Sequence, residues 1–153
     1  MKSFLVKNKI PTIKWGSIPH GIYFQGEVPE GYKLAVCPSK DTIIVDVDVH
    51  GEPNGYDNLP DFVLNACRYT LHYKTKSGGL HIWLKYPDHQ LLNKTSGLGM
   101  DLRTNKGYVC WYTNGRPENR QDEVWDLSFI EGENPEIFTQ KSQIRTWLNE
   151  LFL

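Results

Sequence analysis

The stretch TIIVDVDVHGEPNG, residues 42–55, decides how the rest of the chain is read. Its first half is rich in β-branched residues and predicts a strand. Its second half breaks that strand with Gly, Pro and Asn-Gly. On a strand, residues two apart share a face, so Asp46 and Asp48 are expected to project together while Val45, Val47 and Val49 turn to the other side. Two carboxylates so placed repel each other unless a cation lies between them. A hard divalent ion such as Mg²⁺ takes one or two carboxylates together with substrate phosphates. The plainer alternative is that the two aspartates open a turn and cap the next segment.

A second pattern lies downstream in TKSGGLHIWLKY, residues 75–86. Leu80, Ile82 and Leu84 alternate with His81, Trp83 and Lys85, so His81 is expected to leave the core face just after a Gly-Gly turn. Backbone N–H groups of a Gly-rich turn can hold an anion, and Lys76 and Ser77 add a charge and a hydroxyl beside Gly78 and Gly79. The alternative is an ordinary hairpin turn followed by a half-exposed histidine. In GLGMDLRTNKGYVCWY, residues 97–112, the period of two puts Asp101 and Arg103 on one face. They form either a simple salt bridge or a metal ligand beside an arginine whose planar fork suits phosphate oxygens.

Around these motifs the chain alternates short strands with few helices. SFLV reads as a strand with KNKIP as its turn, and GIYF and YKLAV are further strand candidates. LPDFVLNACRY has helical spacing at Leu59, Phe62, Val63 and Ala66. YTLHYKT pairs with LHIWLKY, and GMDLRT and GYVCWYT are expected to form a second hairpin around NK. In QKSQIRTWLNELFL, the residues Ile144, Trp147, Leu148 and Leu151 lie on one helical stripe, which predicts a docked helix. The order predicts an α+β fold with a largely antiparallel sheet and flanking helices.

Composition narrows the class. A chain of 153 residues, 39% hydrophobic and 23% charged, is ordinary for one globular domain. No apolar run approaches the ~18 residues of a membrane span, and the first residues lack the long apolar stretch of a signal peptide. Cys37, Cys67 and Cys110 are odd in number and far apart, as expected of free thiols in a cytoplasmic protein. The net charge is −1, but its sign is segregated. Residues 41–61 hold Asp41, Asp46, Asp48, Glu52, Asp57 and Asp61 with no Lys or Arg, and basic stretches flank them. Such a pattern suits metal beside phosphates, or an ordinary mixed surface.

The order of the three patterns is more specific than any one of them. IIVDVDVHG, KSGGLHIWL and MDLRTNKGYV, with KNKIPTIKW before them, resemble the primase–polymerase (prim-pol) domain of the archaeo-eukaryotic primase superfamily. The likeness covers most of residues 7–112, and residues 1–153 are read as one prim-pol catalytic domain. Where the family has a glycine pair after the third motif, this chain has Lys106-Gly107. The resemblance implies a primase-like catalytic core with an RRM-like sheet and a template-dependent nucleotidyl transferase, a DNA primase/polymerase of mobile-element or phage replication. It implies that Asp46, Asp48 and Asp101 hold two Mg²⁺ or Mn²⁺ ions. His81 would hold the triphosphate of the incoming nucleotide together with Ser77, Gly78, Gly79 and Arg103. Lys76 and Lys106 would contact the nucleotide or template phosphates. Tyr108 and Tyr112 are candidates for stacking or sugar selection, or for the core. The implied partners are nucleoside triphosphates, single-stranded or primed DNA, and a replicative helicase, fused or separate.

Two other readings use the same residues. A haloacid-dehalogenase-type phosphohydrolase also has an apolar strand ending in D-x-D, but it needs a later acidic pair in an α/β run, and Asp122-Glu123 lacks that context. A non-catalytic RRM-like module for single-stranded nucleic acid would use exposed aromatics and basic strands. It leaves three aspartates among those basic residues without a purpose.

Overall fold

A computed structural model describes residues 1–111 and 123–153. The strands are β1 (Lys2–Lys7), β2 (Ile10–Pro11), β3 (Tyr32–Cys37) and β4 (Thr42–Val47), followed by helix α1 (Asp61–Ala66). Then come β5 (His72–Lys74), β6 (Leu80–Lys85), β7 (Lys94–Thr95), β8 (Met100–Arg103), β9 (Val109–Cys110), β10 (Trp125–Asp126) and helix α2 (Pro135–Phe152). The fold is α+β, and its strands form two sheets, ordered β2-β1-β3-β9 and β10-β6-β4-β8-β7, with β5 also on β6. Among the described residues pairing is antiparallel except between β6 and β10.

β4 is central in the larger sheet, and the expected alternation decides what each of its faces meets. Ile43, Val45 and Val47 join Leu80, Ile82, Leu84, Met100 and Leu102 in a core covered by Val63 and Ala66 of α1 and Ile144, Leu148 and Phe152 of α2. Each such side chain taken fully out of water contributes about 1.5–3 kcal/mol, so this face holds both helices to the sheet. α2 is started by Asn134, whose side chain accepts from the Glu136 N–H, and by Pro135 in its first turn. The expected stripe is its buried side: Ile144 and Leu148 are fully covered, and Trp147 and Leu151 pack at the margin.

The opposite face of the larger sheet is largely, but not wholly, covered. Ile44, Trp83, Tyr73 and Leu71 pack against Val36 of β3 and Val109 of β9 in the smaller sheet, with Trp111 alongside. Phe4, Val6, Ala35 and Cys37 form a third cluster on the far side of that sheet, closed by Trp15, Ile18 and Tyr108.

Several expectations need correction. GIYF is not a strand; Ile22 and Phe24 instead contact Ser3, through a carbonyl that accepts from the Ser3 N–H and an N–H that donates to its hydroxyl. GMDLRT and GYVCWYT do not pair. β8 joins β4 in the larger sheet and β9 joins β3 in the smaller one, so the turn at Asn105-Lys106 carries the chain between sheets. The turn expected over KNKIP is shorter than read: Lys7 still belongs to β1 and Ile10–Pro11 is β2, so Asn8 and Lys9, with φ of 52° and 66°, make a two-residue hairpin turn, as type I′ requires. All three cysteines are free thiols, and burial pushes Cys67 up to about 11. Among the described residues no helix is long and apolar enough to cross a membrane.

Candidate active site

Three of the predicted residues share one row across the larger sheet. Asp46 on β4 stands opposite His81 on β6 and, on its other side, opposite Asp101 on β8. The row is set by period and register. Asp46 lies two residues beyond Ile44 on the face turned to the smaller sheet, at the margin of the second core, and its side chain keeps 32% exposure. Like charges directly opposite on neighbouring strands destabilise a sheet, and here each carboxylate has a basic neighbour. His81 Nε2 is 3.3 Å from Asp46 Oδ1, and Arg103 Nη2 is 3.3 Å from Asp101 Oδ2. Arg103 lies on the Asp101 face, as the period of two predicts, and opposite Ile44.

His81 does leave the helix-covered face, but it is 6% exposed, not half-exposed. The second sheet covers what would otherwise be its solvent side. Its Nδ1 is 3.1 Å from the Tyr73 hydroxyl, which accepts from Trp83 Nε1 at 3.0 Å. Tyr73 was not among the sequence candidates. Hairpin arithmetic could have found it: a turn over Thr75–Gly79 puts Lys74 opposite Leu80 and therefore Tyr73 opposite His81.

Asp48 is not on the strand. β4 ends at Val47, and Asp48 Oδ1 accepts from the His50 N–H at 2.9 Å, the turn-opening role that was the plainer alternative. Its backbone is clamped, with its N–H donating to the Gly99 carbonyl and its own carbonyl accepting from Gly55. That clamp explains two glycines the sequence did not single out. A Cβ on Gly55 would lie 2.3 Å from the Gly99 carbonyl oxygen, and one on Gly99 would lie 2.4 Å from Gly55 N.

The Gly-Gly turn is tighter than an open anion cradle. The Gly78 N–H donates to the Thr75 carbonyl, and the Gly79 carbonyl accepts from Thr75 N–H. A Cβ on Gly79 would meet the Val47 carbonyl oxygen at 2.3 Å, so this glycine lets the turn press on the end of β4. Lys76 and Ser77 are exposed on the same turn. Lys106 is exposed on the turn after β8, which Asn93 pins by accepting from the Thr104 N–H and hydroxyl. Tyr108 takes its core alternative: its ring meets Phe4 and Trp15 edge-on, on the far side of the smaller sheet. Tyr112 and Asp122 lie outside the described residues.

The donor set suits a hard cation in a limited sense. Asp46 and Asp101 offer facing, part-exposed carboxylates, and Mg²⁺ or Mn²⁺ held by one or two carboxylates completes its shell with water and substrate phosphate. Among the described residues no three His, Cys, Asp or Glu side chains are grouped so as to hold a metal by themselves. Compared with known proteins, the chain matches no family model and no curated protein.

Proposed function

We propose that the chain is a template-dependent nucleotidyl transferase, a DNA primase/polymerase that adds nucleotides to a 3′-hydroxyl. The observation that carries this reading is the row His81–Asp46–Asp101 across three adjacent strands, with Arg103 beside it. Two acids and two bases converge at the margin between two sheets, where phosphate and a divalent ion can both be met. The antiparallel order β5-β6-β4-β8, with both helices on one face, also accords with the RRM-like core that the resemblance implies.

In this reading Asp46 and Asp101 hold the divalent ions, and Asp48 adds a carboxylate from the end of β4. Mg²⁺ or Mn²⁺, when bound, supplies activation of the 3′-hydroxyl and charge neutralisation at the departing pyrophosphate. His81 Nε2–H and the Arg103 guanidinium donate to triphosphate oxygens and hold the α-phosphate in line for attack. Lys76, Ser77 and Lys106, exposed on two turns, contact outer phosphates of nucleotide or template. Gly78 and Gly79 serve by shaping the turn.

The test is primer extension on a DNA template with dNTPs and rNTPs, each with Mg²⁺ and with Mn²⁺. Metal-dependent addition that Asp46→Asn abolishes is the expected result. Nucleic-acid binding that ignores divalent ions, with no extension under any of these conditions, would return the chain to a non-catalytic module.

A further inference from the structure

Behind His81 lies a polar chain that the transferase reading does not use. Trp83, Tyr73 and His81 are 0%, 4% and 6% exposed, yet each presents a polar atom to the next. Trp83 Nε1–H can only donate, so the Tyr73 oxygen accepts it at 3.0 Å. The Tyr73 hydroxyl proton is then placed to go to His81 Nδ1 at 3.1 Å, while Nε2 faces the Asp46 carboxylate, an acceptor, at 3.3 Å. One assignment of protons satisfies all three contacts with a neutral imidazole: Nδ1 accepts and Nε2 carries the hydrogen. The ring of Tyr73 is held as firmly as its hydroxyl. It meets His81 edge-on with centroids 5.2 Å apart and meets Trp111 at 5.0 Å.

We propose that Tyr73 is a positioning residue whose hydroxyl, itself held by Trp83, fixes His81 in the Nε2–H tautomer and aims that N–H into the site. The side of the imidazole nearest the reacting groups is then always a donor. It serves Asp46 in the free protein and a triphosphate oxygen once nucleotide is bound. In the free protein the Asp46 carboxylate also holds the hydrogen on Nε2. Once that carboxylate is engaged by a cation, the Tyr73 hydroxyl still keeps the hydrogen off Nδ1; without it the hydrogen can move there, leaving a lone pair on Nε2 that repels phosphate. The tautomer half of this inference stands on the geometry alone, whereas the phosphate half rests on the transferase reading.

The two halves are separated by two measurements. In the protein labelled with ¹⁵N-histidine, two-bond proton–nitrogen correlations assign the His81 tautomer without metal or nucleotide. The expected result is Nε2–H in the parent protein and in Asp46→Asn, whose amide no longer demands a hydrogen on Nε2, and a mixture of both tautomers in Asp46→Asn/Tyr73→Phe, recorded below its melting transition. An Nδ1–H imidazole in the parent overturns the inference without any variant, and so does an Asp46→Asn/Tyr73→Phe spectrum that matches that of Asp46→Asn. Calorimetric titration with dATP and Mg²⁺ then reads the phosphate half. Loss of one hydrogen bond's worth of ordering is expected to raise the dissociation constant about 2- to 12-fold in Tyr73→Phe. A shifted tautomer with unchanged dATP affinity overturns that half. A parent protein that binds no dATP counts against the transferase reading itself, while the tautomer spectrum still decides the first half.

Discussion

Asp46 and Asp101 face each other across the β4–β8 ladder, and each is matched by a base on its own side, His81 for the first and Arg103 for the second. Two like charges opposed in a sheet are costly, and the flanking bases offset that cost in the free protein. In the proposed reading the same two side chains donate to phosphate.

Removing either central carboxylate should separate activity from folding. Asp46→Asn and Asp101→Asn keep shape and can still hydrogen-bond, so thermal unfolding should move little. Nucleotide incorporation should fall about a hundredfold or more, the effect of losing several kcal/mol of transition-state charge stabilisation. Primer extension at matched protein concentration, beside a melting curve, checks both. Near-parental extension by Asp46→Asn would remove the metal-assisted reading.

His81→Ala should do two things, because the ring is buried as well as aimed into the site. The lost hydrogen bonds and the space left behind should cost about 1–3 kcal/mol of stability in denaturant titrations. Loss of a donor to a charged triphosphate should cost about 1.5–3 kcal/mol of nucleotide binding, read by titration with Mn²⁺ present. A stability loss without an affinity loss would make His81 a core residue only.

Arg103→Ala distinguishes a salt bridge from a phosphate contact. The pair with Asp101 is part-exposed, and such pairs contribute at most about 1 kcal/mol to stability. Nucleotide affinity should drop by more than that, because a bidentate guanidinium is worth more against phosphate. Parallel denaturant and nucleotide titrations decide it; equal small effects would leave Arg103 as the neutraliser of Asp101.

The glycines should rank by what a methyl group would meet. Gly78→Ala has φ of +92° but would meet only the Val49 side chain, at an ordinary 3.7 Å, so about 1–2 kcal/mol of backbone strain is expected. Gly99→Ala combines φ of +79° with backbone atoms of Pro53 and Gly55 within 2.7 Å, and about 3 kcal/mol or more should be lost. Gly79→Ala, pressed on the Val47 carbonyl, should fall between them. Chemical denaturation of the three variants gives the order, and a Gly78 variant worse than Gly99 would contradict it.

Asp126 should contribute to acid sensitivity. Burial alone would raise its carboxyl, but hydrogen bonds from the Ser128 N–H and hydroxyl, with the charges of Lys85 and Lys141, hold it below the usual carboxylate range. A carboxylate depressed in the folded state stabilises at pH above its unfolded value of about 3.9, and the contribution is lost as pH falls through the folded value. The stability difference between the parent and Asp126→Asn should therefore be present at neutral pH and shrink below about pH 4. The side chain is 43% exposed, so solvent screening keeps the effect small.

What the sequence determined by itself is whatever depends on neighbours along the chain. Alternation in residues 42–47 and 80–85 sorted Ile43, Val45, Val47, Leu80, Ile82 and Leu84 onto one face, and the spacing of Ile144 and Leu148 identified the buried side of the last helix. Both follow from backbone periods of two and 3.6 residues, which any short window carries. The shared face of Asp101 and Arg103 was legible for the same reason. Only the tertiary structure decided that the face bearing Asp46 and His81 is covered by a second sheet. That sheet is made of β1, β2, β3 and β9, and no local pattern says that β9 abandons β8 for β3. The same holds for Asp48: its strand stops because Gly55 and Gly99, 44 positions apart, meet closely at its backbone. Pairing between distant segments depends on the loop entropy and packing of the whole chain, so the row that brings Tyr73, His81, Asp46 and Asp101 together is a property of the fold.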